Sequence, residues 1–517
     1  MKSGERNPDK ELYRQLRALS CEQLWEDEVP AFDRASPDER RKKVSLVRAV
    51  GVVFSESGTA AQRDVVRPWL RRLLQDPCEK IRRYAMAALP KIGAGHGEEK
   101  ELLSLLRTTT AERERKFLGQ TLEKIGGTAT LEEMAEAGLH MQTEQKVRAS
   151  VARSQSPSIV RMDRTLSDFA GLRIHLRGRA GLEQIVRDEV EEVARTHGKF
   201  RVAEVRSGLV AITPAAPFSL GDIYALRCFG TVGFVLGDAG AAEDAKFVER
   251  LASVITSPLS RRLLETFTDG SIRYRLDFVA LGHQRGAVRL VVNRAYALCP
   301  AILNDARSAP WTIAIHPAER GNSVELTPKF SPDPRLHFRR ADVPAASHPP
   351  LAACMARLAG RRENEIVWDP FCGSGLELIE RALLGGVRAV HGTDRSEEAV
   401  AISRQNFAAA NLKGIRAEFT CCDFRDFATA AGLGPGSVTL VISNPPMGRR
   451  VPIGNLRRLI DKFFSAAATV LQPGGRLVFA NPLRIENPHR SLKLESRQVV
   501  DLSGFDCRLE KYLKLPR

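Results

Sequence analysis

Residues 437–450 read SVTLVISNPPMGRR. The run Val438–Ile442 is apolar and rich in β-branched side chains, which suits a buried strand. It stops at Asn444-Pro445-Pro446, because two successive prolines can continue neither a central strand nor a helix. A stiff polar corner directly after a buried strand belongs at the carboxyl edge of a sheet. That reading sets the fold expected for the whole C-terminal third.

The neighbouring segments repeat the pattern. EIVWDPF (365–371), VRAVHGTD (387–394), IRAEFTCCD (415–423) and GRLVFANP (475–482) are also apolar runs that end in a polar or turn cluster. Helical stretches separate them. Strands alternating with helices predict a doubly wound parallel sheet, an α/β Rossmann-like fold over 346–517. RQVVDLSGFDCRLEKYLKL (497–515) predicts a closing hairpin that adds an antiparallel strand. In such sheets ligands bind outside the carboxyl ends of the strands, and those ends hold the unusual residues.

The first strand runs into DPFCGSG (369–375), where Gly373 and Gly375 permit a tight turn and close approach of a ligand. No lysine follows the glycines, so this is not a nucleotide-triphosphate loop. Asp394 ends the second strand, 19 residues beyond Gly375, at the spacing of an acid that accepts ribose hydroxyls. Asp423 ends the third, placed to accept a hydrogen bond from an exocyclic amine of a purine. Each aspartate alone serves equally well as a helix cap. Three acids (Asp369, Asp394 and Asp423) ending three consecutive strands point instead to a ligand. At the fourth strand end the Asn444 side-chain oxygen and the Pro445 carbonyl form two fixed acceptors. Two acceptors hold both hydrogens of a planar amine and turn its nitrogen toward an electrophile.

Residues from about 370 to 482 resemble class I S-adenosylmethionine-dependent methyltransferases of the amino-methylating kind, whose motif is Asn/Asp/Ser-Pro-Pro-aromatic. RGRAGLEQIVRDEVEEV (177–193), NDARSAPWTIAIHP (304–317) and SPDPRLHFRRADVPAASHPPLAACMARLAG (331–360) extend the likeness. They are similar to THUMP-containing RNA methyltransferases that modify guanine N2 or adenine N6 in tRNA or ribosomal RNA. The resemblance implies S-adenosylmethionine as cofactor. It implies Asp369, Phe371, Gly373 and Gly375 around the methionine part, Asp394 on the ribose, and Asp423 with Phe424 at the adenine. Asn444, Pro445, Pro446 and Met447 would position the target base. Met447 is the departure: the family has Tyr or Phe there, stacked on the base. A thioether still covers a base face but orients it less. Arg449 and Arg450 follow, as cations suited to phosphate.

Upstream the chain changes character twice. Residues 10–150 read as helices, with repeat-like units ending near Gly51, Gly93 and Gly126. LLQDPCEKIRRYAMAALPKIG (73–93) is the clearest unit, and it looks like a HEAT repeat. Residues 149–168 are polar and read as a linker. Residues 169–345 read as a THUMP-like mixed α/β domain. Its expected strands are LRIHLRG (172–178), SGLVAIT (207–213), YRLDFVAL (274–281), AVRLVVN (287–293) and WTIAIHP (311–317), with a helix over 181–193.

Composition sets the outer bounds. The chain has 517 residues, 43% hydrophobic and 27% charged, with a formal net charge of +16. A basic surface favours polyanions, so structured RNA is the expected partner. The helical repeats offer a further surface for a protein. No apolar run reaches the ~20 residues of a membrane span, and the N-terminus lacks a signal-peptide core. The expected location is the cytoplasm. Nine cysteines without a C-x-x-C pair argue against zinc and against a disulfide framework. The same acceptor pair also fits DNA adenine or a protein glutamine, and a non-catalytic scaffold is the remaining alternative.

Overall fold

The computed structural model describes residues 8–137, 141–280, 284–318, 321–344, 346–448, 454–484, 489–502 and 504–516. Arg449 and Arg450 lie outside them. The chain forms two compact units, residues 1–160 with 238–322 and residues 161–237 with 323–517. No helix among the described residues is long and apolar enough to cross a membrane.

The first unit begins with helices that share one apolar core, including Phe32, Phe54, Trp69, Leu89, Leu106 and Leu122. Gly93, at φ 83°, caps the short helical turn Leu89–Ile92, as the sequence predicts. Gly51 does something else. It lies inside the helix Ser45–Glu56, where a β-carbon would collide with Ala88. The glycine there permits close helix packing and does not stop a helix. The same unit holds three parallel strands, Ile302–Asn304, Ile272–Phe278 and Trp311–Ala318.

Two expectations need correction. AVRLVVN (287–293) is not a strand but part of the helix Arg285–Leu298. Val291, Val292, Ala295 and Tyr296 are its buried residues, spaced by four, and a seven-residue window ended before that period showed. The polar stretch 149–168 is not a free linker either. The helix Met141–Gln155 runs through its first part, with Val147 and Ala149 buried. Ser158–Val160 then pairs with Thr268–Gly270, and Thr165–Leu166 pairs with Phe218–Ser219. Short backbone pairing of this kind leaves no hydrophobic period to read.

In the second unit, Ile174–Arg177 lies antiparallel between Leu209–Pro214 and Thr231–Asp238. Phe200–Arg206 extends this sheet beyond Leu209–Pro214. The helix Glu183–His197 packs its apolar face, Ile185, Val186 and Val190, inward.

The C-terminal sheet has seven strands. They are β1 (Glu365–Asp369), β2 (Val387–Asp394), β3 (Arg416–Cys421), β4 (Val438–Ser443), β5 (Leu471–Asn481), β6 (Leu492–Asp501) and β7 (Asp506–Lys514). Their order is β3-β2-β1-β4-β5-β7-β6. The first five are parallel. β7 runs antiparallel to β5 and β6, which is the expected closing hairpin. Helices α1 (Pro349–Ala359), α2 (Leu376–Leu383), α3 (Glu397–Ala409) and α4 (Leu456–Val470) surround it. In β1 and β4 nearly every residue is buried, as parallel strands covered on both faces require. The strand order reverses between β1 and β4, the switch point where doubly wound sheets open a crevice.

The outer edge of β6 is covered at its last residue. The Asp501 amide donates to the Ala180 carbonyl at 3.1 Å, and Arg179 donates to the Asp501 carbonyl at 3.2 Å. Gly181, at φ 93°, sits where any β-carbon would collide with the Val499 carbonyl.

Candidate active site

The crevice gathers the residues that end β1, β2 and β4. Asp369, the last residue of β1, is fully buried. Its Oδ1 accepts from the Phe371 amide at 3.0 Å and from the Ser443 hydroxyl at 2.6 Å. Its Oδ2 is buried with no hydrogen-bond partner. Burial, reinforced by the neighbouring Glu377 carboxylate, pushes the Asp369 carboxyl well above the usual carboxylate range.

Beyond Asp369 the backbone turns through Gly373 and Gly375, at φ 51° and 79°. L-residues rarely adopt that region, and glycine removes the penalty. Asp394 binds this loop to the end of β2: its Oδ2 accepts from the Gly373 amide at 3.1 Å and its Oδ1 from the Ser396 amide at 3.0 Å. Asn406 of α3 completes the frame. Its Nδ2 donates to the Ala341 and Ser374 carbonyls, both at 3.0 Å, and its Oδ1 accepts from the Arg340 amide at 2.8 Å. The sequence reading missed Asn406, since an asparagine inside an amphipathic helix carries no local mark of such a role.

Asp423 follows β3. Arg425 clamps its carboxylate through Nε at 2.8 Å and Nη2 at 2.6 Å. Those hydrogen bonds hold its carboxyl below the usual range. Phe424 is 3% exposed, and its ring centroid lies 4.9 Å from that of Phe371, tilted by 52°. Phe371 is half-buried and Phe424 lies in the core with it.

At the end of β4, Asn444 is half-buried and Pro445 is buried; Pro446 and Met447 are half-buried. The Asn444 Nδ2 donates to the Ser347 hydroxyl at 2.8 Å. Ser347 in turn donates to Glu377, which is 3% exposed in the first turn of α2. The Asn444 Oδ1 is buried and has no partner. Sequence reasoning missed Ser347 and Glu377, which lie 97 and 67 residues from Asn444.

Two buried oxygens at one sheet edge, Asp369 Oδ2 and Asn444 Oδ1, therefore lack donors. A buried acceptor left unmatched costs roughly 1–3 kcal/mol, and native structures hold few of them. An amide Oδ1 only accepts, and so does the Oδ2 of an ionised Asp369, so the groups that match them are N–H or O–H donors. A cofactor ammonium suits Asp369 and a substrate amine suits Asn444. The positive-φ glycines and the anchored Asp394 fit the remainder of an S-adenosylmethionine site.

Known proteins resemble this chain in sequence and in fold. Residues 337–499 match the RMKL-like methyltransferase domain family. A tRNA (guanine(10)-N2)-dimethyltransferase of Methanothermobacter thermautotrophicus is 29% identical over 185 residues, 34% of this chain and 51% of that protein. Its Methanocaldococcus jannaschii counterpart is 30% identical over 156 residues, 29% of this chain and 42% of that protein. The chain thus spans about half the length of these two curated relatives. Among solved structures, TrmN from Thermus thermophilus covers 66% of this chain and 100% of its own at 20% identity, with a TM-score of 0.52. A "possible methylase from Clostridium difficile 630" covers 67% of this chain and 98% of its own at 13% identity, with a TM-score of 0.50. Both share the fold. Residues 337–499 thus match a methyltransferase domain family, and S-adenosylmethionine is the methyl donor of such domains.

Proposed function

We propose that this chain methylates an exocyclic base amine in RNA, with guanine N2 of tRNA as the leading target. The observation that carries the reading is Asn444. Its Nδ2 is committed to Ser347, and its Oδ1 is left as a buried acceptor without a donor at the carboxyl end of β4. The relatives' action on guanine N2 of tRNA supports the base and the RNA.

S-adenosylmethionine, when bound, supplies an electrophilic methyl group on a sulfonium sulfur. Asp369 would hold its ammonium, the Gly373–Gly375 turn its carboxylate side, Asp394 its ribose and Asp423 its adenine amine, with Phe371 and Phe424 beside the ring. Asn444 Oδ1 and the Pro445 carbonyl would take the two hydrogens of the target amine. An aromatic amine is a poor nucleophile because its lone pair is delocalised into the ring. Holding both hydrogens out of the ring plane restores that lone pair and aims it along the line of displacement. The base must leave its stack to reach the crevice, and Met447 and Pro446 would cover its face. In this reading residues 10–150 are HEAT-like repeats, 169–345 a THUMP-like region that grips RNA by backbone and shape, and 346–517 the catalytic domain. That division is one of task, in the cytoplasm, and a protein partner on the repeats is compatible with it.

The test is transfer of labelled methyl from S-adenosylmethionine to RNA from cells lacking the protein, followed by nucleoside mass analysis. N2-methylguanosine, lost in Asn444→Ala, is the expected result. N6-methyladenosine would keep the chemistry and change the base. Cofactor binding with no labelled RNA would overturn the RNA reading in favour of DNA or protein glutamine. No cofactor binding at all would leave a scaffold.

A further inference from the structure

We infer that Glu377 and Ser347 set which way the Asn444 side-chain amide faces, and that protonation of Glu377 turns it over and shuts the site. The inference rests on the proposed amine transfer for its catalytic consequence, but its first test does not.

The argument is one of hydrogen-bond parity. An ionised carboxylate only accepts. The Ser347 hydroxyl beside Glu377 must then give its single hydrogen to Glu377. Its remaining capacity toward Asn444 is that of an acceptor. Asn444 must answer with its donor, Nδ2, at 2.8 Å, which leaves Oδ1 toward the crevice. The orientation of an amide is normally ambiguous between O and N. Here the ambiguity is removed by a charge two hydrogen bonds away.

The relay reverses when Glu377 gains a proton. The neutral acid donates to Ser347 Oγ, and Ser347 turns its hydrogen to Asn444. Asn444 then answers best with Oδ1. Its NH2 group swings into the crevice, where it meets the hydrogens of the target amine donor to donor.

Several groups set where this happens. Glu377 is buried with Asp369 at the end of β1 and Glu380 one turn along α2, both acidic. Arg339, before α1, opposes them with positive charge. The buried Cys372 thiol is pushed well above its ordinary range and stays neutral. Burial first, then Glu380, raises Glu377 to about 6, against the hydrogen bond from Ser347. His348, next to Ser347, is exposed at its surface, and its packed side with Arg179, Arg335 and Arg339 holds it below its ordinary range, so its titration is separate.

The first experiment follows the Asn444 side-chain amide by NMR in protein labelled with nitrogen-15 asparagine, assigned by its loss in Asn444→Asp. The expected result is a titration with midpoint near 6 in the wild type, absent in Glu377→Gln and in Ser347→Ala. Glu380→Gln should lower the midpoint and keep the titration, and Ser347→Thr should retain it. A flat wild-type signal, or one that still titrates in Glu377→Gln, overturns the inference. The second experiment measures single-turnover methyl transfer from pH 5 to 8.5 with saturating cofactor. The wild-type rate should fall tenfold per pH unit below about 6, and Glu377→Gln should lose that limb. Ser347→Ala should lower kcat about tenfold with the KM for S-adenosylmethionine unchanged, and Ser347→Thr should restore most of it. A rate that keeps its acid limb in Glu377→Gln sinks the relay while the methyl-transfer reading stands. An amide that titrates as expected in a protein that methylates no RNA sinks that reading while the relay stands.

Discussion

Two buried carboxylates, one among the N-terminal helices and one at the end of β1, are displaced in opposite directions. Glu114 is fully buried. Burial alone would raise its carboxyl, but Arg82 and Thr109 together fill both oxygens, and it lies below the usual range. Asp369 is as deeply buried and lies well above that range. It has partners on one oxygen and none on the other. Burial of an acid is therefore not what marks a site. The mark is an incomplete set of partners in a place where the backbone is already fixed.

The sharpest way to break that contrast is to make the complete set incomplete. Arg82→Ala strands a buried Glu114 charge and should cost about 3–5 kcal/mol of stability by chemical denaturation; a loss under 1 kcal/mol would mean that Glu114 simply takes up a proton. Asn444→Ala makes the opposite statement. It removes an acceptor that has no partner and a single hydrogen bond, from Nδ2 to Ser347, so the fold should survive with a loss of ~1 kcal/mol. Methyl transfer should fall by a factor of ~10²–10³, the scale for one preorganised polar group in a transition state. Equal losses of stability and rate would erase the distinction between the two regions.

Glu377 supplies a third, intermediate case. Its carboxyl is raised in the folded protein to about 6, so the folded state binds the proton more tightly than the unfolded chain. That contribution to stability is present in full below the unfolded value near 4.5 and is lost as pH rises through 6. Glu377→Gln should gain ~2 kcal/mol over wild type at pH 8 relative to pH 4, measured by paired thermal or denaturant melts. A gain that is the same at both pH values would count against an ionised Glu377. The smallest effect belongs to Met447. Base–aromatic stacking is worth ~1–3 kcal/mol, and the thioether already supplies part of it. Met447→Tyr should lower the KM for RNA by roughly fivefold, about 1 kcal/mol, with little change in kcat. A large rise in KM would show that Met447 leaves room for a base bound another way.

How much of this was legible depends on how local each signal was. The glycine turn, the acids after β1 to β3 and the Asn-Pro-Pro corner each announce themselves within a few residues. A parallel sheet then brings its strand ends together by topology alone. The helix over 285–298 was misread because Val291 and Val292 look β-branched until Ala295 and Tyr296 are counted. Ser347, Glu377 and Asn406 were invisible for a different reason. Their hydrogen bonds reach across 97 residues from Asn444 to Ser347, 30 from Ser347 to Glu377 and 65 from Asn406 to Ala341, and leave no period and no composition. A serine before a His-Pro-Pro corner and a glutamate in a helix's first turn look like ordinary capping residues. The part of a site that orients the reacting group is, in this molecule, the part least written in any one stretch.

The contact between 179–181 and β6 has a consequence for how the molecule is handled and how it lives in a crowded cell. An edge strand with unpaired amides and carbonyls is a template for another chain, and β6 also shows Leu494 and Val499 to solvent. Residues 179–181 cover the backbone at its far end, and only a glycine at 181 can lie that close. A C-terminal sheet cut away from residues 161–237 would lose that cover at Asp501, beside the exposed Val499. Its first failure would be precipitation by strand-to-strand recruitment, before any loss of chemistry.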